Sequence, residues 1–226
     1  MTINIGFQMD PLESLSLEDD TTLAIIEECL SKNYNIWHFL PKDVSYINGE
    51  VMASSKIILE LNRDIQPSFK TSDLIRKNLK ELDLIFLRQD PPFDMSYITS
   101  TFLLEYIEDE VKIINKPSEV RNAPEKLFLN RWKNLTPETI ITRNISEINS
   151  FRKKHKNIIL KPLYGNGGNG IFFLGEKDKN FNSLIEIFLD SHPEQFILQE
   201  YLPNIKFGDK RIILINGKPE GAINRI

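Results

Sequence analysis

A glycine-rich segment limits the possible folds of this chain more than any other part of it. Four of the six residues at 165–170 are glycine, in the string Gly-Asn-Gly-Gly-Asn-Gly that follows Tyr164. Glycine admits backbone angles that other residues avoid, and without a side chain its amides can approach a phosphate closely. The segment lies between two apolar runs, 157–160 and 171–174. We therefore expect a loop between two strands that is suited to covering phosphates.

Other phosphate-binding motifs do not fit this context. The spacing satisfies G-x-G-x-x-G, but a dinucleotide-binding fold needs a helix directly afterwards, and residues 171–174 are β-branched and aromatic. A Walker loop needs Lys followed by Ser or Thr after its last glycine, where this chain has Ile171 and Phe172. A glycine turn that folds over a nucleotide triphosphate remains, with a plain hairpin loop as the alternative.

Lys161 favours the phosphate interpretation over the plain hairpin. It ends an apolar strand four residues before the first glycine, where a cation can pair with phosphate oxygens. In protein kinases the lysine follows the glycine loop, whereas here it precedes the loop. The order of Lys161, the glycine loop and then 199–203 (Gln-Glu-Tyr-Leu-Pro) resembles the ATP-grasp superfamily, in which the last segment is a hinge that recognises adenine.

Charge and composition exclude several classes of partner. The formal charge is −4 and the pI is near 5.5, so nothing in the net charge favours nucleic acid or an anionic membrane. No apolar run approaches the length of a membrane span, and the N-terminus lacks the pattern of a signal peptide. The single cysteine, Cys29, lies in a helical apolar pattern and excludes an intrachain disulfide. We expect a cytoplasmic protein without nucleic acid or membrane partners.

The pattern along the chain predicts two α/β domains, 1–118 and 119–226. The first alternates strands with helices, as a parallel doubly wound sheet does. Its predicted strands are 3–9, 34–40, 83–88 and 111–114, with a hairpin turn at Asn48-Gly49, and its helices are 18–31 (capped near Ser16), 71–80 and 96–109. The second domain has predicted helices at 124–132 and 146–155 and strands at 157–161, 170–174, 195–200 and 210–215, with a turn at Asn216-Gly217. We expect an N-terminal parallel-sheet domain followed by an incomplete ATP-grasp α+β domain.

Several longer strings resemble one family in particular, prokaryotic glutathione synthetase. They occur in the family's order at 88–94 (Arg-Gln-Asp-Pro-Pro-Phe-Asp), 115–117, 125–128, 135–139 and 159–163, with shorter matches at 9–11 and 47–50. The similarity covers essentially the whole chain. It implies ATP-dependent ligation of γ-glutamylcysteine to glycine through an acyl phosphate, with magnesium as a second cofactor and a homo-oligomer when full length.

The resemblance also implies roles for individual residues. The implied ATP ligands are Lys126, Lys161, Gly165, Asn166, Gly167, Gly168, Gln199, Glu200, Tyr201, Leu202 and Asp209. The two lysines would hold phosphates, the glycine loop would cover them, and 199–202 would hold adenine. Arg211 and Arg225 are the implied catalytic residues, and Arg88, Asp90 and Arg225 the implied substrate ligands. The alternatives are a solvated helix for Lys126, a structural turn for Asp90 and a surface turn for Asp209. The three histidines, His38, His155 and His192, show no metal-ligand spacing.

Members of the family continue past residue 226 into strands that bear the magnesium ligands. The resemblance therefore predicts a C-terminal truncation, no metal ligands in this chain, and little turnover by the chain alone. The exposed hairpin at 210–226 predicts association or local disorder. Two other functions stay open, namely another ATP-grasp carboxylate–amine ligase and a non-catalytic nucleotide-binding remnant.

Overall fold

The computed structural model describes residues 2–18, 20–165 and 167–225, and the chain divides into two compact units, Met1–Phe128 and Leu129–Ile226. The first unit extends past the domain boundary predicted near residue 118. The reason is that the helix Pro117–Asn122 stays attached to it, because Arg121 donates to Thr101 and lies 3.8 Å from the ring of Phe102. The position of the domain boundary near 118 stays a prediction.

Unit 1 is a mixed sheet with helices. Its elements are β1 (Asn4–Gln8), α1 (Thr21–Ser31), β2 (Asn35–Phe39), β3 (Val44–Ile47), β4 (Glu50–Leu61), β5 (Phe69–Thr71), β6 (Ile75–Asn78), β7 (Leu84–Leu87), α2 (Met95–Glu105), β8 (Lys112–Ile114), α3 (Pro117–Asn122) and α4 (Glu125–Phe128). The strand order is β3-β4-β2-β1-β7-β8, and β5 and β6 also pair with β4. The strands β2, β1, β7 and β8 are parallel, as the alternating pattern predicts, whereas β4 is antiparallel to β2.

Two buried clusters pack against the sheet of unit 1. Ile5 and Phe7 belong to the cluster that includes α1, whereas Ile85 belongs to the cluster that includes α2. Between Ile5 and Phe7, Gly6 points the opposite way, as alternation along a strand requires. A Cβ at Gly6 would meet Leu82 Cδ1 at 2.7 Å and Phe39 Cε1 at 3.1 Å. The glycine therefore allows close packing at the centre of the parallel strands.

The prediction of a helix at 71–80 is wrong. The structure has β5, β6 and a 3₁₀ turn at Leu79–Glu81 in this segment, because β4 is long enough to pair with additional strands along its edge. The helix α1 begins at Thr21 and is capped by Asp20, whose carboxylate accepts from the N–H of Thr22, so the cap predicted near Ser16 is also wrong. The helix predicted at 124–132 shortens to α4 and a 3₁₀ turn at Leu129–Arg131, and the one predicted at 96–109 ends at Glu105.

Unit 2 is an antiparallel sheet backed by two helices, with a separate hairpin. Its elements are β9 (Thr139–Thr142), α5 (Ile145–His155), β10 (Ile158–Pro162), β11 (Phe172–Leu174), α6 (Phe181–Ser191), β12 (Phe196–Glu200), β13 (Asp209–Ile215) and β14 (Lys218–Arg225). The sheet order is β11-β10-β12-β9. Phe151 of α5 and Phe188 of α6 pack on Leu160 and Leu198, which covers one face of this sheet. The sequence analysis identified neither β9 nor α6.

Both predicted hairpin turns are confirmed. Asn48 and Gly49 have φ angles of 50° and 94°, and Asn216 and Gly217 have 52° and 77°. These are the left-handed angles that a two-residue turn between antiparallel strands requires. In the β13–β14 hairpin every described residue is exposed, including the apolar side chains from Ile212 to Ile215. No helix in the described part of the chain combines the length and apolar character needed to cross a bilayer.

The packing at Gly6 yields a stability prediction. Gly6→Ala should lower the free energy of unfolding of unit 1 by about 1–3 kcal/mol, since the new methyl group overpacks Leu82 and Phe39. Urea denaturation in a Trp132→Phe background would measure it, because Trp37 is then the only tryptophan and reports on unit 1. As a control, Gly221→Ala should change nothing, because no atom lies within 4 Å of its added Cβ. An unchanged midpoint for Gly6→Ala would contradict the close packing.

Candidate functional site

The glycine loop connects β10 to β11, and no helix follows it. Gly165, Gly167, Gly168 and Gly170 have φ angles of 122°, 62°, 78° and 69°, which side chains rarely allow. A Cβ at Gly167 or Gly168 would have no atom within 4 Å, so the backbone conformation, and not crowding, requires glycine there. The prediction of a loop between two strands is confirmed. Asn166, the other predicted phosphate ligand of the loop, lies outside the described residues.

A chain of hydrogen bonds crosses the sheet next to this loop. Lys161 Nζ donates to Gln199 Oε1 at 2.8 Å, and Gln199 Nε2 donates to Thr139 Oγ1 at 2.8 Å. The Thr139 hydroxyl donates to the carbonyl of Pro137, also at 2.8 Å. Since an ammonium can only donate, the Gln199 amide turns its oxygen towards Lys161 and its NH₂ group towards Thr139. The sheet thereby orients a cation supplied by β10 with groups from β12 and β9.

These side chains lie on the face of the sheet that the two helices leave uncovered. Ile158 and Leu160 point into the helix-packed core, so Ile159 and Lys161 point the other way. Phe173, Ile159, Gln199 and Thr139 are register partners in a row across β11, β10, β12 and β9. Lys161 lies two residues along β10 from this row. The open face therefore carries an apolar part, a polar amide and a cation side by side.

The predicted adenine hinge begins where β12 ends. The N–H of Glu200 donates to the carbonyl of Glu138 at 2.9 Å, and the N–H of Tyr201 donates to the carbonyl of Asn157 at 3.2 Å. The ring of Tyr201 meets that of Phe173 edge to face, with 4.6 Å between centroids. Phe173 is 52% exposed and Leu202 is 50% exposed. The hinge thus combines a fixed main chain with accessible apolar side chains, which suits a flat aromatic ring.

The hinge and the glycine loop lie at opposite ends of β10. In the register of β10 with β12, Ile158 is opposite Glu200, and Pro162, which leads into the loop, is opposite Phe196. Four residue steps separate the two ends, which corresponds to about 13 Å along a strand. Lys161 lies near the loop end. An elongated ligand that follows β10 would meet apolar side chains first and the cation and glycine amides last.

Arg88 and Asp90 border a cleft of about 490 Å³ in unit 1. Arg88 follows β7, and its guanidinium donates to the hydroxyls of Thr21 and Thr22, both at 2.9 Å. The N–H of Asp90 donates to a carboxylate oxygen of Asp10 at 2.7 Å. This places both residues at the carboxyl end of a parallel strand, where open α/β sheets bind ligands.

The electrostatic environment of Asp90 is unfavourable for its negative charge. Burial raises the pKa of the Asp90 carboxyl, and the nearby carboxylates of Asp10 and Asp20 raise the pKa further, while Arg88 opposes them. Three acidic side chains near one arginine leave excess negative charge at this end of the sheet. A cationic group of a ligand would relieve that excess.

Asp209, Arg211 and Arg225 are brought together on one face of the β13–β14 hairpin. Asp209 and Arg225 are cross-strand partners, and Arg225 binds the Asp209 carboxylate in a forked ion pair. The hydrogen bond from Arg225 lowers the pKa of Asp209, with a smaller effect from Arg211. Arg225 is thus already engaged within the hairpin, and its predicted contact with a substrate carboxylate stays a prediction.

The sequence analysis missed several residues that form the candidate nucleotide site and the cleft in unit 1. No role was assigned to Thr139, Phe173, Asp10 or the pair Thr21–Thr22, although Thr139 and Asp10 lie within strings that resemble the family. The apolar doublet beside Thr139 was a usable signal for a strand, and Phe173 follows from alternation on β11. Lys126 lies on α4 of unit 1, and its predicted contact with ATP phosphates stays a prediction. Among the described residues, no group of three or more His, Cys, Asp or Glu side chains is arranged to hold a metal ion.

Comparison with known families matches both units. Residues 3–121 match the N-terminal domain of prokaryotic glutathione synthetase, and residues 125–226 match its ATP-grasp domain. A glutathione synthetase from Agrobacterium fabrum is 46% identical over 224 residues, which are 99% of this chain and 70% of that protein. One from Escherichia coli is 38% identical over 219 residues, covering 96% of this chain and 69% of that protein.

Solved structures share the fold at much lower identity. An ATP-grasp RimK domain protein from Sphaerobacter thermophilus superposes with a TM-score of 0.64 at 12% identity, over 99% of this chain and 73% of its own. The D-alanyl-alanine synthetase A of Vibrio cholerae gives a TM-score of 0.59 at 13% identity, over 96% and 64%. These two support the ATP-grasp fold alone. The family matches and the relatives show more: this chain belongs to the prokaryotic glutathione synthetase family.

Proposed function

We propose that the protein is an ATP-dependent carboxylate–amine ligase that joins γ-glutamylcysteine to glycine. The observation that carries this proposal is the open face of the unit 2 sheet, where Lys161, the glycine loop and the hinge line one strand in a chain of this family. In the reaction, a substrate carboxylate oxygen attacks the γ-phosphorus of ATP, and ADP leaves. The glycine nitrogen then attacks the acyl carbon and loses a proton, the bond from that carbon to the bridging oxygen breaks, and phosphate leaves with the carboxylate oxygen that had attacked the phosphorus.

The unit 2 residues supply the nucleotide site in this proposal. Lys161 contributes a cationic donor to a phosphate oxygen, while Gln199 and Thr139 limit where its ammonium can move. The open glycine amides cover the phosphates. At the other end of β10, Tyr201 and Leu202 contact the adenine ring. Since the N–H groups of Glu200 and Tyr201 already donate within the chain, we assign the Leu202 N–H to a ring nitrogen.

Phosphoryl transfer of this kind depends on positioning and on neutralising charge. In the hairpin, Arg211 is the residue we assign to the transferred phosphoryl group. Arg225 is held by Asp209, so it can reach a substrate carboxylate only by exchanging that partner. In the part of the chain that the structure describes, acidic and histidine side chains form no group of three or more that could hold magnesium.

The unit 1 cleft is the place we propose for γ-glutamylcysteine. Arg88 offers a guanidinium that two threonines orient, and this suits a substrate carboxylate. Asp90, together with Asp10, offers the negative charge that an α-ammonium needs. The cytoplasmic location and the homo-oligomer stay predictions. The association or local disorder expected of the hairpin at 210–226 also stays a prediction.

Removing the charge of Lys161 tests the proposed nucleotide site. Lys161→Met should weaken ATP binding about 10- to 150-fold, or ~1.5–3 kcal/mol, because a phosphate oxygen loses a charged donor. Isothermal titration calorimetry with ATP measures it. Lys153→Met is the matched control, since Lys153 is exposed on α5 and should not affect binding. If the two variants bind ATP with equal affinity, Lys161 does not contact the nucleotide.

Removing the charge of Asp90 tests the site proposed for γ-glutamylcysteine. γ-Glutamylcysteine should bind this chain saturably, and Asp90→Asn should weaken that binding about tenfold or more, because the α-ammonium loses a charged acceptor. D-alanine, the natural test for a different ligase of the same fold, should not displace γ-glutamylcysteine from this chain. Competition between D-alanine and γ-glutamylcysteine, or an unchanged affinity in Asp90→Asn, would contradict the proposed substrate site.

The same substitution should have the opposite effect on stability. Because the folded state raises the pKa of Asp90, its ionised form costs stability at neutral pH, and this cost vanishes as the carboxyl becomes protonated. Asp90→Asn should therefore raise the free energy of unfolding at pH 7, and the gain should shrink as the pH falls towards about 4. Urea denaturation across this range tests it. A loss of stability at pH 7 would show that ionised Asp90 serves the fold and not a ligand.

A further inference from the structure

A second cleft in unit 1 lies outside every site described above. Its volume is about 330 Å³, and none of its lining residues borders the cleft of Arg88 and Asp90. Its walls are the segment from Pro11 to Leu17, the end of β2, the middle of β4 and the segment 66–74. A cavity of this size is at the lower end of those that hold small molecules. It suits a ligand much smaller than a nucleotide.

Opposite charges line this cleft without neutralising one another. Lys56 of β4 supplies a cation, and Glu13 and Asp43 supply carboxylates. Within the described residues, none of these three side chains takes part in an ion pair or a hydrogen bond. The three side chains share one concave surface without forming an ion pair with one another. The arrangement leaves both a cationic and an anionic position for a ligand.

His38 adds a polar group between the charged and apolar parts. It is the register partner of Lys56, is only 8% exposed, and has its Nε2 at 3.1 Å from the carbonyl of Asp10. That carbonyl can only accept, so Nε2 carries the proton and Nδ1 is left as an acceptor in the neutral ring. Burial lowers the pKa of His38, which agrees with a neutral imidazole.

The remaining surface contains an apolar part. Leu12 and Phe39 are buried beside the cleft, Leu15, Phe69 and Leu74 are accessible in it, and uncharged polar residues (Ser54, Gln66, Ser68 and Thr71) also line it. A simple anion would meet two carboxylates, and a simple cation would meet Lys56. A purely apolar molecule would leave all three charges without partners. A ligand that carries both charges and an apolar portion matches the charged and the apolar parts of this surface.

We propose that this cleft binds a zwitterionic α-amino acid with an aliphatic side chain. Its carboxylate pairs with Lys56, its ammonium faces the carboxylates of Glu13 and Asp43, and its side chain packs on the accessible surface of Leu15, Phe69 and Leu74. The site is separate from the proposed substrate and nucleotide sites and does not depend on them. It gives the protein a second small-molecule ligand in unit 1.

The first experiment compares three probes by isothermal titration calorimetry on the intact chain. Leucine carries both charges, 4-methylpentanoate has the carboxylate alone, and 3-methylbutylamine has the ammonium alone. Leucine should bind with a stoichiometry near one, and each singly charged analogue should bind about tenfold or more weakly, because it leaves one charge of the cleft unpaired. Absence of saturable leucine binding, or equal binding of the three probes, would overturn the proposal.

The second experiment uses variants to test whether leucine binds in this cleft. Lys56→Met should weaken leucine binding about tenfold or more. Lys70→Met should not, since Lys70 is an exposed lysine of the neighbouring β5 and does not line the cleft. Arg88→Met should also leave leucine binding unchanged. If Arg88→Met abolishes binding while Lys56→Met does not, leucine occupies the proposed substrate cleft and the second site does not exist.

Discussion

The pairing of β10 with β12 is the constraint on which the nucleotide site of this protein depends. Its register places the hinge opposite the start of β10 and the entry to the glycine loop at the other end. It also brings Gln199 within 2.8 Å of Lys161, although 38 positions separate them in the chain. A shift of one residue would turn Lys161 into the helix-packed core, where an unpaired ammonium is costly. Strand pairing therefore determines the chemistry as well as the fold.

Two other features preserve this arrangement. The helices α5 and α6 pack on one face through Phe151, Phe188 and their neighbours, so Lys161 and Gln199 lie on the opposite face. The N–H groups of Glu200 and Tyr201 donate to the carbonyls of Glu138 and Asn157, which holds the hinge at the end of β12. The glycine loop lacks such packing at Gly167 and Gly168. A rigid platform is thus combined with a connection whose backbone is open to a ligand.

The sequence predicted the parts of this protein that local patterns determine. The strands from Asn4 to Gln8 and from Ile158 to Pro162, the turn at Asn48-Gly49 and the loop at 165–170 follow from apolar runs and from glycine. The segment 71–80 was mistaken for a helix because its strands exist only through pairing with β4. The hydrogen-bond partners of Lys161 could not be predicted for the same reason. Sheet register brings together residues that are far apart in the chain, and local sequence patterns do not show which residues will pair.

The central claim is that a nucleotide lies along β10, with its base at the hinge and its phosphates at the glycine loop. Hydrogen–deuterium exchange of the chain, measured by mass spectrometry with and without ATP, tests this claim directly. The account predicts that ATP slows exchange in two separate peptides, one covering 164–170 and the other covering 199–202, and that Lys161→Met removes both effects at a subsaturating ATP concentration. Protection confined to other segments, or unchanged exchange in both peptides at saturating ATP, would contradict it.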